Sequence, residues 1–273
     1  MTNIKISIII PCYNHGQYLD DAIKSVEENG SKTAYEIIII NDGSTDPYTI
    51  DKLKELETKG KGYRIIHQEN QGLGKTRNNG IKQATGEYII PLDADNKLSK
   101  GFIDKCSHIL DTDLAYAVVY TDCFHFNEQE NYLSAVGDFD ILRLIHTNYI
   151  DACSMYRKKV WEVCGGYDSN MPGMGNEDWD LWLNMAFHGS KFYYLAEPLY
   201  YYRLSPGSMR LNVTQPKFKE NLEYLLEKYK GPIAKHYHQL YERYSNYEWL
   251  YKVYMRKNKF KSIAKTLFNK WSA

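Results

Sequence analysis

Apolar and polar positions follow two alternating rhythms over roughly the first 120 residues. Ile4 to Ile10, Tyr35 to Ile40, Tyr63 to His67 and Glu87 to Leu92 are short apolar runs of the length expected for buried strands. Between them the apolar spacing changes to three and four residues. A loop and amphipathic helix cover Tyr13 to Asn29, Asp46-Pro47 opens a helix to about Lys59, and Leu73 to Ala84 forms another, closed by Thr85-Gly86. Gly101 to Leu110 and Ala115 to Tyr120 add a helix and a fifth strand, and Pro11 is expected to end the first strand. Short buried strands joined through helices predict an α/β fold with a Rossmann-like, mostly parallel sheet and helices on both faces, because parallel neighbours need crossover connections.

Beyond residue 125 the rhythm loosens into Tyr- and Asp-rich loops, a strand-like Ile150 to Tyr156, a turn at Gly165-Gly166 and a helix from about Glu177 to His188. From about Pro216 the chain reads as helical, with Leu240, Tyr241, Tyr244, Tyr251 and Tyr254 forming an aromatic stripe. The pattern divides the chain into one large domain, 1–213, with halves 1–122 and 123–213, and a helical extension, 214–273.

Composition narrows the function classes. The 273 residues are 43% hydrophobic, and 34 basic side chains balance 34 acidic ones. That is the make-up of a folded globular chain, with no global field drawing it to nucleic acid or an anionic surface. Five scattered cysteines without a CxxC pair fit neither a disulfide framework nor a zinc cage, and no stretch is apolar enough for a signal sequence or a membrane span. A cytoplasmic protein is expected.

In parallel sheets ligands bind beyond the carboxyl ends of the strands, and polar clusters fall at four such ends. Asp93-Ala94-Asp95-Asn96 follows the fourth strand, where paired carboxylates can hold a hard divalent cation or simply form an Asp turn. Asn41-Asp42-Gly43 follows the second, offering a carboxylate to a base or ribose while Ser44, Thr45 or Asp46 caps the next helix. Asn70 to Gly80 is a glycine-spaced helix entry in which Lys75 or Arg77 could steady an anion, although it lacks the P-loop pattern. Glu177, Asp178 and Asp180 open a later helix, where acids suit the helix dipole and one could act as a general base.

Ser7-Ile8-Ile9-Ile10-Pro11-Cys12-Tyr13-Asn14, Asn41 to Asp46, Asn70 to Gly80, Asp93-Ala94-Asp95 and Glu177-Asp178 occur in the order and approximate spacing of the family 2 glycosyltransferases, and the chain resembles that family over about residues 4 to 210. The resemblance implies the GT-A fold, with 1–122 as the nucleotide-sugar-binding half and 123–213 as the acceptor half. It also implies an inverting enzyme that moves one sugar from a nucleotide diphosphate donor, a UDP-sugar above all, to a hydroxyl of a glycan or lipid-linked acceptor in surface polysaccharide synthesis. Pro11, Tyr13, Asn14 and Ala94 would border the donor. Asp42 would bind uracil or ribose, and Arg77 would sit beside the base and diphosphate. Asp93 would touch the ribose or the metal shell, Asp95 would ligate Mn²⁺ or Mg²⁺, and Asp178 would be the base with Glu177 beside it.

Two positions depart from the family pattern. Many relatives carry Asp where this chain has Asn96, and many carry a histidine soon after a Tyr-Arg pair, where this chain reads Tyr202-Arg203-Leu204-Ser205. These departures keep strict metal dependence open, along with a non-catalytic nucleotide-sugar-binding role; a sugar-nucleotide pyrophosphorylase would need a basic, glycine-rich loop where Pro11 to Gly16 stand. The QxxRW signature of processive synthases is absent, which favours single-sugar transfer. From Trp249 onward every charged residue is basic, so the tail is read as a terminal helix packed on its own domain or a second subunit, or as a peripheral membrane contact.

Overall fold

The computed structural model describes residues 4–59, 62–127, 131–204 and 216–246. The first four strands, β1 (Ile6–Cys12), β2 (Tyr35–Asp42), β3 (Arg64–Gln68) and β4 (Tyr88–Pro91), are joined by helices α1 (Gly16–Glu27), α2 (Pro47–Thr58) and α3 (Leu73–Gln83). They pair in parallel in the order β3-β2-β1-β4, so the sheet grows one way from β1 and then reverses. That reversal opens a crevice between the carboxyl ends of β1 and β4, the usual ligand position in doubly wound sheets. Tyr13 and Asn14 leave one strand there, and Asp93 to Asp95 leave the other.

The apolar run of β1 explains why it stands in the middle. Ile6, Ile8 and Ile10 are fully buried in one core with Leu19, Ala22 and Val26 of α1 and with Ile37 and Ile39 of β2. Ile9 and Ile40 face the other layer, where α3 comes so close that a Cβ on Gly80 would lie 2.5 Å from Ile40 Cδ1 and 2.8 Å from Ile9 Cγ2. Glycine is what lets the helix seat there. Each such isoleucine contributes about 1.5–3 kcal/mol through burial.

Pro11 does not end β1. Ile9 O accepts from Leu92 N on the β4 side, so the nitrogen of Pro11, two residues on, faces that same side beyond the last residue of β4. A missing N–H costs nothing where the neighbour has stopped. Asp46 N-caps α2 by accepting from Thr49 N at 2.8 Å, with Pro47 at the first helical position.

The second half continues through β5 (Lys97–Leu98), α4 (Phe102–Thr112), β6 (Tyr116–Phe126), β7 (Asn131–Ser134), α5 (Ile141–His146), β8 (Met155–Arg157), α6 (Lys158–Val163), α7 (Glu177–Phe187), β9 (Lys191–Arg203) and α8 (Pro216–Lys228). The sheet runs β3-β2-β1-β4-β8-β6-β9-β5, with β7 on β6. The fifth predicted strand is β6, and it reaches Phe126 rather than Tyr120. It does not touch β4 directly, because the short antiparallel β8 lies between them. The expected strand from Ile150 shrinks to Met155–Arg157. Asp151 Oδ1 accepts from Cys153 N at 2.9 Å and Ser154 Oγ donates to Asp151 O at 2.8 Å, and this local turn competes with extended pairing.

All five cysteines are free thiols. The chain forms two compact units, Met1–Leu225 and Leu226–Ala273. In the second, residues 230–246 are helical, and exposed Tyr237 and Tyr241 stack at 6.5 Å. Tyr251, Tyr254 and the basic tail lie outside the described residues, as does Ser205. No helix among the described residues is long and apolar enough to cross a membrane.

Candidate active site

Arg77 organises the crevice. It stands on α3 one turn inside the glycine-spaced entry, with its side chain 2% exposed, whereas Lys75 points to solvent. Its two terminal nitrogens divide between distant carboxylates: one donates to Asp93 Oδ1 at 2.6 Å, the other to Glu177 Oε1 at 3.1 Å. The guanidinium also lies 5.5 Å from the Tyr167 ring centroid. Burial opposes its charge, but Asp93, Tyr167, Glu177 and Asp178 outweigh burial and raise its pKa well above the ordinary value. One cation therefore ties the turn after β4 to the start of α7.

The Asp93 turn is held from its other side by β9. Arg203 Nε donates to Asp95 O at 2.9 Å, and its backbone N donates to Asn96 Oδ1 at 2.9 Å. The Arg203 guanidinium is packed at 4.5 Å from the ring centroid of Tyr18 and 4.6 Å from that of Phe126. Asn96, 2% exposed, is thus spent on fixing the turn to β9. Burial, then the charge of Asp93, pushes the Asp95 carboxyl up to about 6, with His15 and Arg203 opposing. Two carboxylates in one turn repel, and a bound cation would relieve that repulsion. No group of three or more His, Cys, Asp or Glu side chains suited to a metal occurs among the described residues.

Asp42, at the end of β2, is 4% exposed and accepts three hydrogen bonds: from Gln68 Nε2 at 2.7 Å, Gln71 N at 2.9 Å and Gly72 N at 3.0 Å. It fastens the loop that leads into α3 and leaves about one acceptor position for a ligand. Gly72 has φ 83°, a conformation that favours glycine, and a Cβ there would meet Met174 Sδ at 3.6 Å. Asn14, at φ 55°, receives Thr45 N and Asp46 N on its Oδ1 and clasps the loop after β2. Pro11 and Ala94 are buried in strand and turn, and Tyr13 is 47% exposed at the crevice mouth.

The acids at α7 differ in role. Glu177 is buried with both oxygens engaged, one by Arg77 and the other by Gly175 N at 2.7 Å. Asp178 Oδ1 accepts from its neighbour Trp179 N at 2.8 Å, and Oδ2 accepts from Asn148 Nδ2 at 3.0 Å. Burial, followed by the charge of Glu177, pushes the Asp178 carboxyl up to about 7, with Arg77 opposing and Asp151 adding to the rise. Asp151 is itself raised, by burial first and also by Asp93, so it belongs to the same cluster. Sequence reasoning missed Asp151 and Asn148. They lie in a loop without periodicity, and only their nearness to the α7 acids marks them.

The model for glycosyl transferase family 2 matches residues 7–164. The chain belongs to glycosyl transferase family 2. An uncharacterized glycosyltransferase of Rickettsia conorii is 31% identical over 193 residues, which is 70% of this chain and 31% of the relative. Chondroitin synthase of Escherichia coli is 28% identical over 184 residues, 66% of this chain and 26% of that protein. The chain therefore spans about a third or less of the length of these family 2 relatives. Among solved structures, Staphylococcus aureus TarS 1-349 in complex with UDP superposes with a TM-score of 0.62 at 21% identity, covering 83% of this chain and 72% of that 1-349 fragment. The family 2 chain thus has the GT-A fold.

Proposed function

We propose that this chain is an inverting glycosyltransferase that moves one sugar from a UDP-sugar to a hydroxyl of a glycan or lipid-linked acceptor in surface polysaccharide synthesis. The observation that carries the reading is the Arg77 bridge, which joins the Asp93 turn at the sheet's crevice to the helix start that bears Asp178. The family supports the transferase class, and the UDP complex of TarS supports the donor class.

In this reading Tyr13, Asp42 and the Asp93 turn border the donor. A divalent metal held by Asp95, with Asp93 beside it, would supply neutralisation of diphosphate charge. Asp178, whose carboxyl is pushed up to about 7, takes the proton of the acceptor hydroxyl near neutral pH. The hydroxyl oxygen then bonds to the anomeric carbon as the bond to the diphosphate oxygen breaks, and the electron pair leaves with the diphosphate. Attack opposite the leaving group inverts the centre.

The test is a panel of UDP-, GDP- and dTDP-sugars with Mn²⁺, read by nucleotide binding in calorimetry and by slow nucleoside diphosphate release. Binding and release with a UDP-sugar are expected. Neither binding nor release with any member of the panel would refute the proposal.

A further inference from the structure

Asn148 stands outside every motif in the sequence, yet its surroundings are closely defined. It lies between α5 and β8, on a segment fastened to α7 at two points that flank it. Trp179 Nε1 donates to Leu144 O at 2.7 Å, and Trp182 Nε1 donates to Ile150 O at 3.0 Å. Both tryptophans are buried. Between these anchors the Asn148 amide donates to Asp178 Oδ2 on the same helix, at 3.0 Å. An amide oxygen turned toward a carboxylate would be repelled, so the neighbour itself fixes which end of the amide faces Asp178.

The other end of the amide is the informative one. Asn148 Oδ1 is buried and has no hydrogen-bond partner among the described residues. A buried acceptor left unmet is a cost to folding, and an asparagine kept only for stability would be expected to satisfy both ends. The side chain's polar engagement goes to Asp178 alone. A carboxylate that accepts from Trp179 N on one oxygen and Asn148 on the other has its plane fixed, so its basic lone pairs point in one direction.

We infer that Asn148 is a positioning residue for the acceptor-side reaction: held by two tryptophan anchors, it sets the orientation of the Asp178 carboxylate that receives the acceptor proton. The inference rests on the reading of Asp178 as the base. It adds that the loop before β8, and not α7 alone, determines how that base meets the incoming hydroxyl.

The test compares the wild-type chain with Asn148→Ala, Asn148→Asp and Asn148→His, and with Asp178→Asn as the reference. UDP release with Mn²⁺ from the UDP-sugar that wild type turns over in the panel above reports turnover, calorimetry with UDP reports the donor site, and thermal melting reports the fold. Alanine and aspartate should lower kcat by roughly tenfold or more, part of the ~10²–10⁴ that a positioned base supplies. UDP affinity should stay within about twofold. For alanine the melting midpoint should stay within about 2 °C, because the orphaned acceptor is lost together with one hydrogen bond. Histidine, whose ring Nδ1 stands at the same distance from Cβ as the amide nitrogen, should recover part of the rate. If Asn148→Ala keeps the wild-type rate while Asp178→Asn is inactive, the Asn148 inference alone is overturned. If Asp178→Asn also keeps the full rate, the base assignment falls and takes this inference with it. Loss of rate only in step with a melting drop of many degrees, with no recovery by histidine, would assign Asn148 to the fold and overturn the proposal.

Discussion

Replacing Arg77 by methionine keeps most of the side-chain stem and removes the charge that Asp93 and Glu177 share. The two acids are not equally vulnerable. The Asp93 side chain is 30% exposed and can be rehydrated, whereas that of Glu177 is 6% exposed and would be left as a buried anion. Breaking a buried pair from one side costs about 3–5 kcal/mol, and most of it arises at Glu177. For a folded unit of this size each kcal/mol lowers the melting midpoint by about 2–4 °C, so the variant should melt roughly 6–20 °C below wild type. Circular dichroism with heating is the assay. The double variant Arg77→Met/Glu177→Gln removes the stranded charge and should recover at least half of the loss, whereas Arg77→Met/Asp93→Asn should recover little. A single variant that melts within about 2 °C of wild type, or a double variant with purely additive losses, would refute the view that one arginine stabilises two carboxylates.

Three other outcomes follow from the same geometry. In its proposed role Asp178 must be ionised to accept a proton, and its carboxyl is pushed up to about 7, so turnover should fall as pH drops through that value; Asp178→Asn should abolish turnover and leave UDP binding intact in calorimetry. Asp42→Ala leaves the amides of Gln71 and Gly72 without their acceptor, at a cost of about 1–3 kcal/mol, and hydrogen exchange at those two amides should accelerate. Gly80→Ala gains about 1 kcal/mol of helix propensity but forces a Cβ against Ile40 and Ile9, and overpacking of about 1–3 kcal/mol should leave it less stable in urea titration.

The parallel half was legible because strands covered on both faces read as unbroken apolar runs. Ile6 to Ile10 and Ile37 to Ile40 announce themselves, and Asp46-Pro47 marks a helix start unambiguously. The later half was less legible because β8 has three residues, too few for any period, and its place between β4 and β6 is set by pairing partners far along the chain. At the site, the sequence singled out Asp93, Glu177 and Asp178 but not the different partners that the fold gives them. Whether Lys75 or Arg77 turns inward depends on the phase of α3 against the sheet. The three donors on Asp42 come from a loop whose course is not written in its composition. Asn148 and Asp151 carried no signal, since Asn and Asp in a loop ordinarily mean only a turn.

The Arg77 bridge spans a sequence separation of 100 residues, and its far partner lies past residue 164, where the family match stops. A fragment cut at that boundary would keep the β4 turn, leave Arg77 with Asp93 but without Glu177, and deprive β6 of β9. The same holds on the ribosome: a nascent chain that has released only its first 164 residues has the crevice between β1 and β4 but neither Glu177 nor the strand that ends in Arg203.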